Sequence, residues 1–219
     1  MPPEQPRLDP PAELDMAVGY AMFTQRAIRR LDSERPISDD VLKLVIDAAS
    51  KAPSGGNTQP ARLVVLRDRS VIEEFGGLYY EAWWAKRRGE LGWEPGHDIP
   101  TDSPYRMASV LASEMVSAPV VVLGYTPPGV PGGALSVLPG IQNMMLAARS
   151  VGIGSVLTTL HPQVMDRVNE LVGAPVGAEF HCCVPLGYPR GGFGTTQRRP
   201  TNETTYWNTW GHNAPWGSA

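Results

Sequence analysis

Apolar and polar positions change period several times along the chain, and each change marks an element. Val41, Leu42, Val45, Ile46 and Ala49 fall on one helical stripe, with Ser38 placed to cap the helix and Asp39 and Asp40 at its positive end. Residues 62–66 are almost uniformly apolar, which predicts a short strand covered on both faces. Residues 119–125, 155–159 and 179–186 read as further strands. Residues 135–151 carry Leu138, Ile141, Met144, Met145 and Ala148 at helical spacing, so their methionines are expected in a core, and residues 162–171 predict a shorter helix. Upstream, residues 15–30 read as a helix ending in an arginine cluster, preceded by a Pro-rich flexible arm over 1–14. Least regular is 70–115, where a helical opening leads into Tyr79, Tyr80, Trp83 and Trp84, then Lys86, Arg87 and Arg88, and an irregular stretch over 92–103.

Helices and strands alternate, so a three-layer α/β arrangement is the natural assignment. A chain of 219 residues with 42% hydrophobic content can bury one substantial core. The net charge of −3 is spread among interspersed acids and bases, which gives no signal for nucleic acid and leaves local arginine clusters to meet a small anion. No window reaches the ~18 apolar residues of a membrane span, and the first residues lack a charged and an apolar signal region. With only Cys182 and Cys183, on opposite faces of a strand, a structural disulfide is not expected and a reducing, cytoplasmic setting is. His97, His161, His181 and His212 are too dispersed to suggest a metal site.

Two segments carry candidate chemistry, each with a plain alternative. Residues 52–60 place Ser54, Gly55, Gly56, Asn57, Thr58 and Gln59 between the patterned helix and the first strand. Adjacent glycines bring main-chain N–H groups close to a ligand, although Pro, Ser and Gly also make an ordinary connection. Arg26, Arg29 and Arg30 lie within five residues and suit a phosphate, although a short basic cluster is also a common solvated helix face. The aromatic run likewise has two readings: a helix packed on the core with Lys86 to Arg88 in solvent, or a mobile flap stacking on a planar ligand.

In order along the chain stand Gln25-Arg26-Ala27-Ile28-Arg29, the 52–60 loop, Leu138-Pro139-Gly140-Ile141-Gln142-Asn143, Gly152-Ile153-Gly154-Ser155 with Thr158-Thr159, Leu186-Gly187-Tyr188-Pro189, and Arg198-Arg199-Pro200. This series resembles the nitroreductase family of FMN-dependent oxidoreductases, over about residues 20–210, and is most similar to actinobacterial members with a Trp-rich end. The resemblance implies an α+β fold, a three-layer α-β-α sandwich in an intertwined homodimer with FMN at the interface. It frames a domain over 15–211 with a variable flap at about 76–115 and a tail over 212–219. It implies FMN contacts by Gln25, Arg26, Ala27 and Arg29 on the ribityl chain and phosphate, with Arg198 assisting. Pro53, Ser54, Gly55, Asn57 and Gln59 would reach the flavin from the partner subunit, and Leu138, Pro139, Gly140, Gln142, Leu157, Thr158 and Thr159 would line the ring. Gln25 stands where the family usually has arginine, Ala27 where it has serine, and Ala61 where it has tryptophan.

The resemblance further implies that hydride passes from NAD(P)H to flavin N5 and on to a planar small-molecule acceptor, a nitroaromatic, quinone or activated alkene, by a ping-pong mechanism. It requires no dedicated catalytic side chain; His161 is the one histidine placed to be considered as a proton donor. Gly152-Ile153-Gly154-Ser155 does not complete a dinucleotide fingerprint, so NADH and NADPH are not distinguished. Alternatives within the resemblance are a flavin-binding protein without turnover, a deazaflavin-dependent enzyme, or a dehalogenase or flavin-fragmenting relative.

Overall fold

The computed structural model describes residues 11–130 and 133–216. Residues 1–10 of the expected arm, 131–132, and 217–219 of the expected tail lie outside the described residues. Four strands, β1 (Arg62–Leu66), β2 (Val120–Thr126), β3 (Gly154–Ser155) and β4 (Glu179–Gly187), form one antiparallel sheet in the order β1-β2-β4-β3. Strand β2 is buried throughout, and its alternation divides the interior in two. Val120 and Val122 join Cys182, Val184 and Leu186 of β4 in one core, completed by α2 (Asp39–Ala49) and α5 (Ala134–Ser150). Val121, Leu123 and Tyr125 face a second core with α3 (Arg69–Leu91), α4 (Arg106–Glu114) and α6 (Met165–Leu171). Helices therefore cover both sides of an antiparallel sheet, and the fold is an α+β three-layer sandwich rather than a parallel α/β arrangement.

The cysteines fall in different layers, Cys182 in the first core and Cys183 in the second, both free. Pairing of β2 with β4 shifts between Gly124 and Tyr125, skipping His181 and leaving Phe180 and Cys183 facing the same layer. The Phe180 ring meets Tyr125 edge-on at 5.4 Å. Gly124 is tight: a Cβ there would stand 3.1 Å from Cys182 Sγ and from Val137 Cγ1.

Ser38 caps α2, accepting from Val41 N. Asp68 caps the 23-residue α3, which ends at Gly92 in the left-handed region, φ 68°. The expected helix over 15–30 is shorter: α1 spans Val18–Thr24 and the arginine segment is extended. Its backbone bonds go elsewhere, Ile28 N to Ser155 O at 2.9 Å and Asp32 N to Tyr188 O at 2.8 Å, and Ala27 bridges Ser155 in parallel. β1 is an edge strand and Val65 is 37% exposed, so it is not covered on both faces. The strand expected over 155–159 reduces to β3 plus an isolated bridge from Thr158 to Cys183. The helix expected over 162–171 divides into a 3-10 turn, Pro162–Val164, and α6. Among the described residues no helix is long and apolar enough to cross a membrane.

Candidate functional site

The loop after α2 departs from ordinary connecting geometry. Gly56, Asn57 and Gln59 have φ of 56°, 54° and 48°, and two of the three are not glycine, a costly conformation that surrounding bonds must hold. Ser54 Oγ accepts from Gln59 N at 2.9 Å, Gln59 Nε2 donates to Asn57 Oδ1 at 3.2 Å, and Gly55 N donates to Ser136 Oγ on α5 at 3.2 Å. Pro53, Ser54 and Gly55 thus line a cleft of about 580 Å³ with Ser136 and Pro139, while Asn57 and Gln59 stand exposed beside it. Pro139 has no N–H to donate to the Leu135 carbonyl, which loosens α5 at this wall. Gly140 is needed one residue on, where a Cβ would be 2.9 Å from Ala49 O at the end of α2.

A second cleft, of about 310 Å³, is lined by Arg26, Ala27, Arg29 and Arg30, with Gly191 and Gly192 opposite. No carboxylate lines it, and among the described residues none of these arginines forms an ion pair. Arg26 Nη2 reaches only Gly192 O, at 3.4 Å. Gln25 does not share the cleft; its Nε2 is 3.8 Å from Met145 Sδ. Behind it, buried Arg149 donates from Nε to Thr24 Oγ1 at 3.0 Å and lies 4.0 Å from the Phe193 ring centroid, tying α1 to the glycine-rich wall.

Leu157, Thr158 and Thr159 follow β3, and the Ile28–Ser155 bond joins them to the arginine segment. Thr158 is fixed by reciprocal backbone bonds with Cys183, at 2.9 and 2.8 Å, and its Oγ1 is 2.9 Å from the Tyr79 hydroxyl. Burial holds the Tyr79 phenol well above its ordinary range, against smaller opposing effects of the Thr158 bond and the Arg29 charge, so it stays a neutral hydroxyl. Thr158, Thr159 and His161 line a third cavity, of about 570 Å³, under Tyr79, Trp83 and Arg87. His161 Nδ1 accepts from Gln163 N at 3.3 Å, a capping role for the 3-10 turn.

The sequence-derived residues therefore divide among three clefts that share no lining residue. Pro53, Ser54, Gly55 and Pro139 line the first, Arg26, Ala27 and Arg29 the second, and Thr158 and Thr159 the third, which the Ile28–Ser155 bond joins to the arginine segment. Leu138, Gln142, Leu157 and Arg198 are exposed; Arg198 lines none of these clefts and donates to Gln197 O. Ser136, Tyr79, Arg149 and Arg87 were not among the expected site residues. The aromatic run marked the helix that carries Tyr79, but its bond to Thr158 spans 79 positions, and nothing local announces it. No group of three or more potential metal ligands occurs among the described residues.

The family model for the nitroreductase family matches residues 23–188. The chain belongs to the nitroreductase family. It is 30% identical over 171 residues, 77% of this chain and 83% of the other, to a protein of Archaeoglobus fulgidus provisionally named an NADH dehydrogenase/NAD(P)H nitroreductase. An iodotyrosine deiodinase of Thermotoga neapolitana is 27% identical over 173 residues, 75% of this chain and 84% of that protein. Among solved structures, an oxidised iodotyrosine deiodinase bound to FMN and 3-iodo-L-tyrosine superposes with a TM-score of 0.68 at 19% identity, covering 84% of this chain and 95% of that one. At that identity the likeness speaks for the nitroreductase fold alone.

Proposed function

We propose that the chain is an FMN-dependent oxidoreductase, working as a homodimer, that alternately oxidises NAD(P)H and reduces a planar acceptor such as a nitroaromatic, quinone or activated alkene. The observation that carries this is the arginine cleft: three guanidinium groups without a carboxylate, bonded through Ile28 to Ser155, three residues before Thr158. Its donor set suits a terminal phosphate, and Thr158 and Thr159 would be the residues beside the flavin ring. When bound, FMN supplies hydride acceptance and donation at N5. Arg26 and Arg29 hold the phosphate, while Ala27 and Gln25 contribute no charge to that grip. Both backbone groups of Thr158 are held by Cys183, so its neighbours Leu157 and Thr159 would supply any main-chain contact to the ring. Pro53, Ser54, Gly55, Asn57 and Gln59 would act on the flavin of a second copy, which accounts for their cleft being separate from that of the arginines.

Absorbance of the purified protein with added FMN, followed by anaerobic NADPH and then NADH, tests the reading. Flavin bands that bleach with either nucleotide and recover with an acceptor are expected; flavin that stays oxidised, or does not bind, overturns it. A second reading, reductive dehalogenation of an aromatic, is favoured by the likeness to the Thermotoga neapolitana deiodinase. Halide release from an iodinated phenol by the reduced protein distinguishes it.

A further inference from the structure

Helix α3 buries a guanidinium that one of the two readings of the aromatic run places in solvent. Arg87 is 6% exposed, with its Cζ 4.5 Å from the Tyr105 ring centroid and 5.5 Å from that of Trp83. The irregular stretch before α4 brings Tyr105 over it, a long-range contact the helical pattern does not contain. Arg87 Nη2 is 2.8 Å from Glu90, a carboxylate that is about half exposed, and its Nε is buried without a hydrogen-bond partner among the described residues. A guanidinium has five donors, so Glu90 engages only one edge of it. Leaving a buried donor on a cation unused is costly, and such positions are usually completed by a ligand or water.

Arg87 lines the cavity that also holds Thr158 and Thr159. Lys86 and Arg87 set against Glu90 leave its charged lining positive, and Trp83 and Tyr105 add flat apolar surface. We propose that this cavity selects acceptors that are both planar and anionic: the ring packs on Trp83 and Tyr105, and a carboxylate, admitted by a shift of the buried Arg87 side chain, takes its unused Nε donor. This rests on the reading of Thr158 and Thr159 as flavin-lining residues. It adds a charge requirement that a neutral quinone or nitroarene does not meet.

The test compares 4-nitrobenzoate with 4-nitrobenzamide, which share ring and nitro group and differ in charge, by calorimetric titration of the FMN-treated protein. Binding of the benzoate about tenfold to a hundredfold tighter is expected, the range of one charge-assisted hydrogen bond. Arg87→Met should remove the difference and Arg87→Lys should keep part of it. Equal affinities for the wild type, or a preference that survives Arg87→Met, overturn the proposal. Should Arg87→Met not fold, a crystal structure of the wild type with 4-nitrobenzoate decides: a carboxylate anywhere but within hydrogen-bond reach of Arg87 overturns it. The redox reading fails separately, by flavin that does not bleach, while turnover of both compounds at equal kcat/KM sinks the charge selection alone.

Discussion

Gly76 and Gly77 are neighbours on α3, but only one has no room for a side chain. A Cβ on Gly76 would stand 2.5 Å from Val116 Cα and N and 2.7 Å from its Cγ1, whereas a Cβ on Gly77 would meet nothing within 4 Å. Glycine to alanine in a helix interior gains about 1 kcal/mol in both cases, so the pair isolates the collision. Gly77→Ala should stabilise by about 0.5–1 kcal/mol. Gly76→Ala must move the backbone of the turn at Val116 and carries an overpacking penalty of about 1–3 kcal/mol against the same gain. For a chain of this size, each kcal/mol shifts Tm by about 2–4 °C, so Gly76→Ala should melt about 2–12 °C below Gly77→Ala. Both are measured by thermal denaturation at one protein and FMN concentration, because binding itself raises Tm. Equal melting temperatures would refute the claim that α3 is docked through Gly76.

Arg29→Ala should weaken FMN binding about tenfold to a hundredfold in a fluorescence titration, the loss of one charge-assisted contact. Its effect on the flavin-free protein should stay within about 0.5 kcal/mol, because among the described residues the side chain forms no ion pair. Tyr79→Phe and Thr158→Val each strand one hydroxyl and should cost about 1–3 kcal/mol in urea unfolding, while the double variant costs clearly less than their sum; strict additivity would contradict the bond between them. Neither cysteine should react with a thiol reagent at pH 8 until the protein unfolds, since burial pushes Cys182 from 9.0 up to about 11 and Cys183 well above its ordinary value. The folded thiol keeps its proton when the unfolded one has lost it, so this group's contribution to stability falls as pH rises from 9.0 toward about 11. A Cys182→Ala variant should show less of that alkaline decline.

The sequence exposed those elements whose side-chain period is decided locally. Helix α2 announced its cap and stripe, α5 its methionine spacing, and β2 and β4 their apolar runs, because both faces of the sheet are covered. The arginine segment was misread as helix because its backbone partners, Ser155, Tyr188 and Pro189, lie more than a hundred residues away. Propensity carries no information about such bonds. The same holds for Arg87, whose burial depends on Tyr105 from the irregular stretch, and for Val65, left exposed because β1 is an edge. Within the candidate site, the glycine-containing loop and the arginines were legible from residue type alone. The separation into three clefts, and the Tyr79–Thr158 bond, appear only once the sheet is assembled.

The bulge opposite Gly124 has a meaning for how the chain reaches this fold. In most antiparallel sheets one face is polar, and a strand that slips by one residue is rejected because it turns polar groups inward. Here β2 offers valine or leucine to both sides at most of its positions, so solvent has no vote on its alignment. Shape decides instead. Gly124 is the one place on β2 without a side chain, and Val137 and Cys182 press into the space it leaves. A strand displaced by one would push Leu123 or Tyr125 into that gap, while the extra residue in β4 at His181 fixes where pairing must break step. The sheet thus works like a keyed shaft, in which a notch and a matching tooth admit one setting out of many that grease alone would accept.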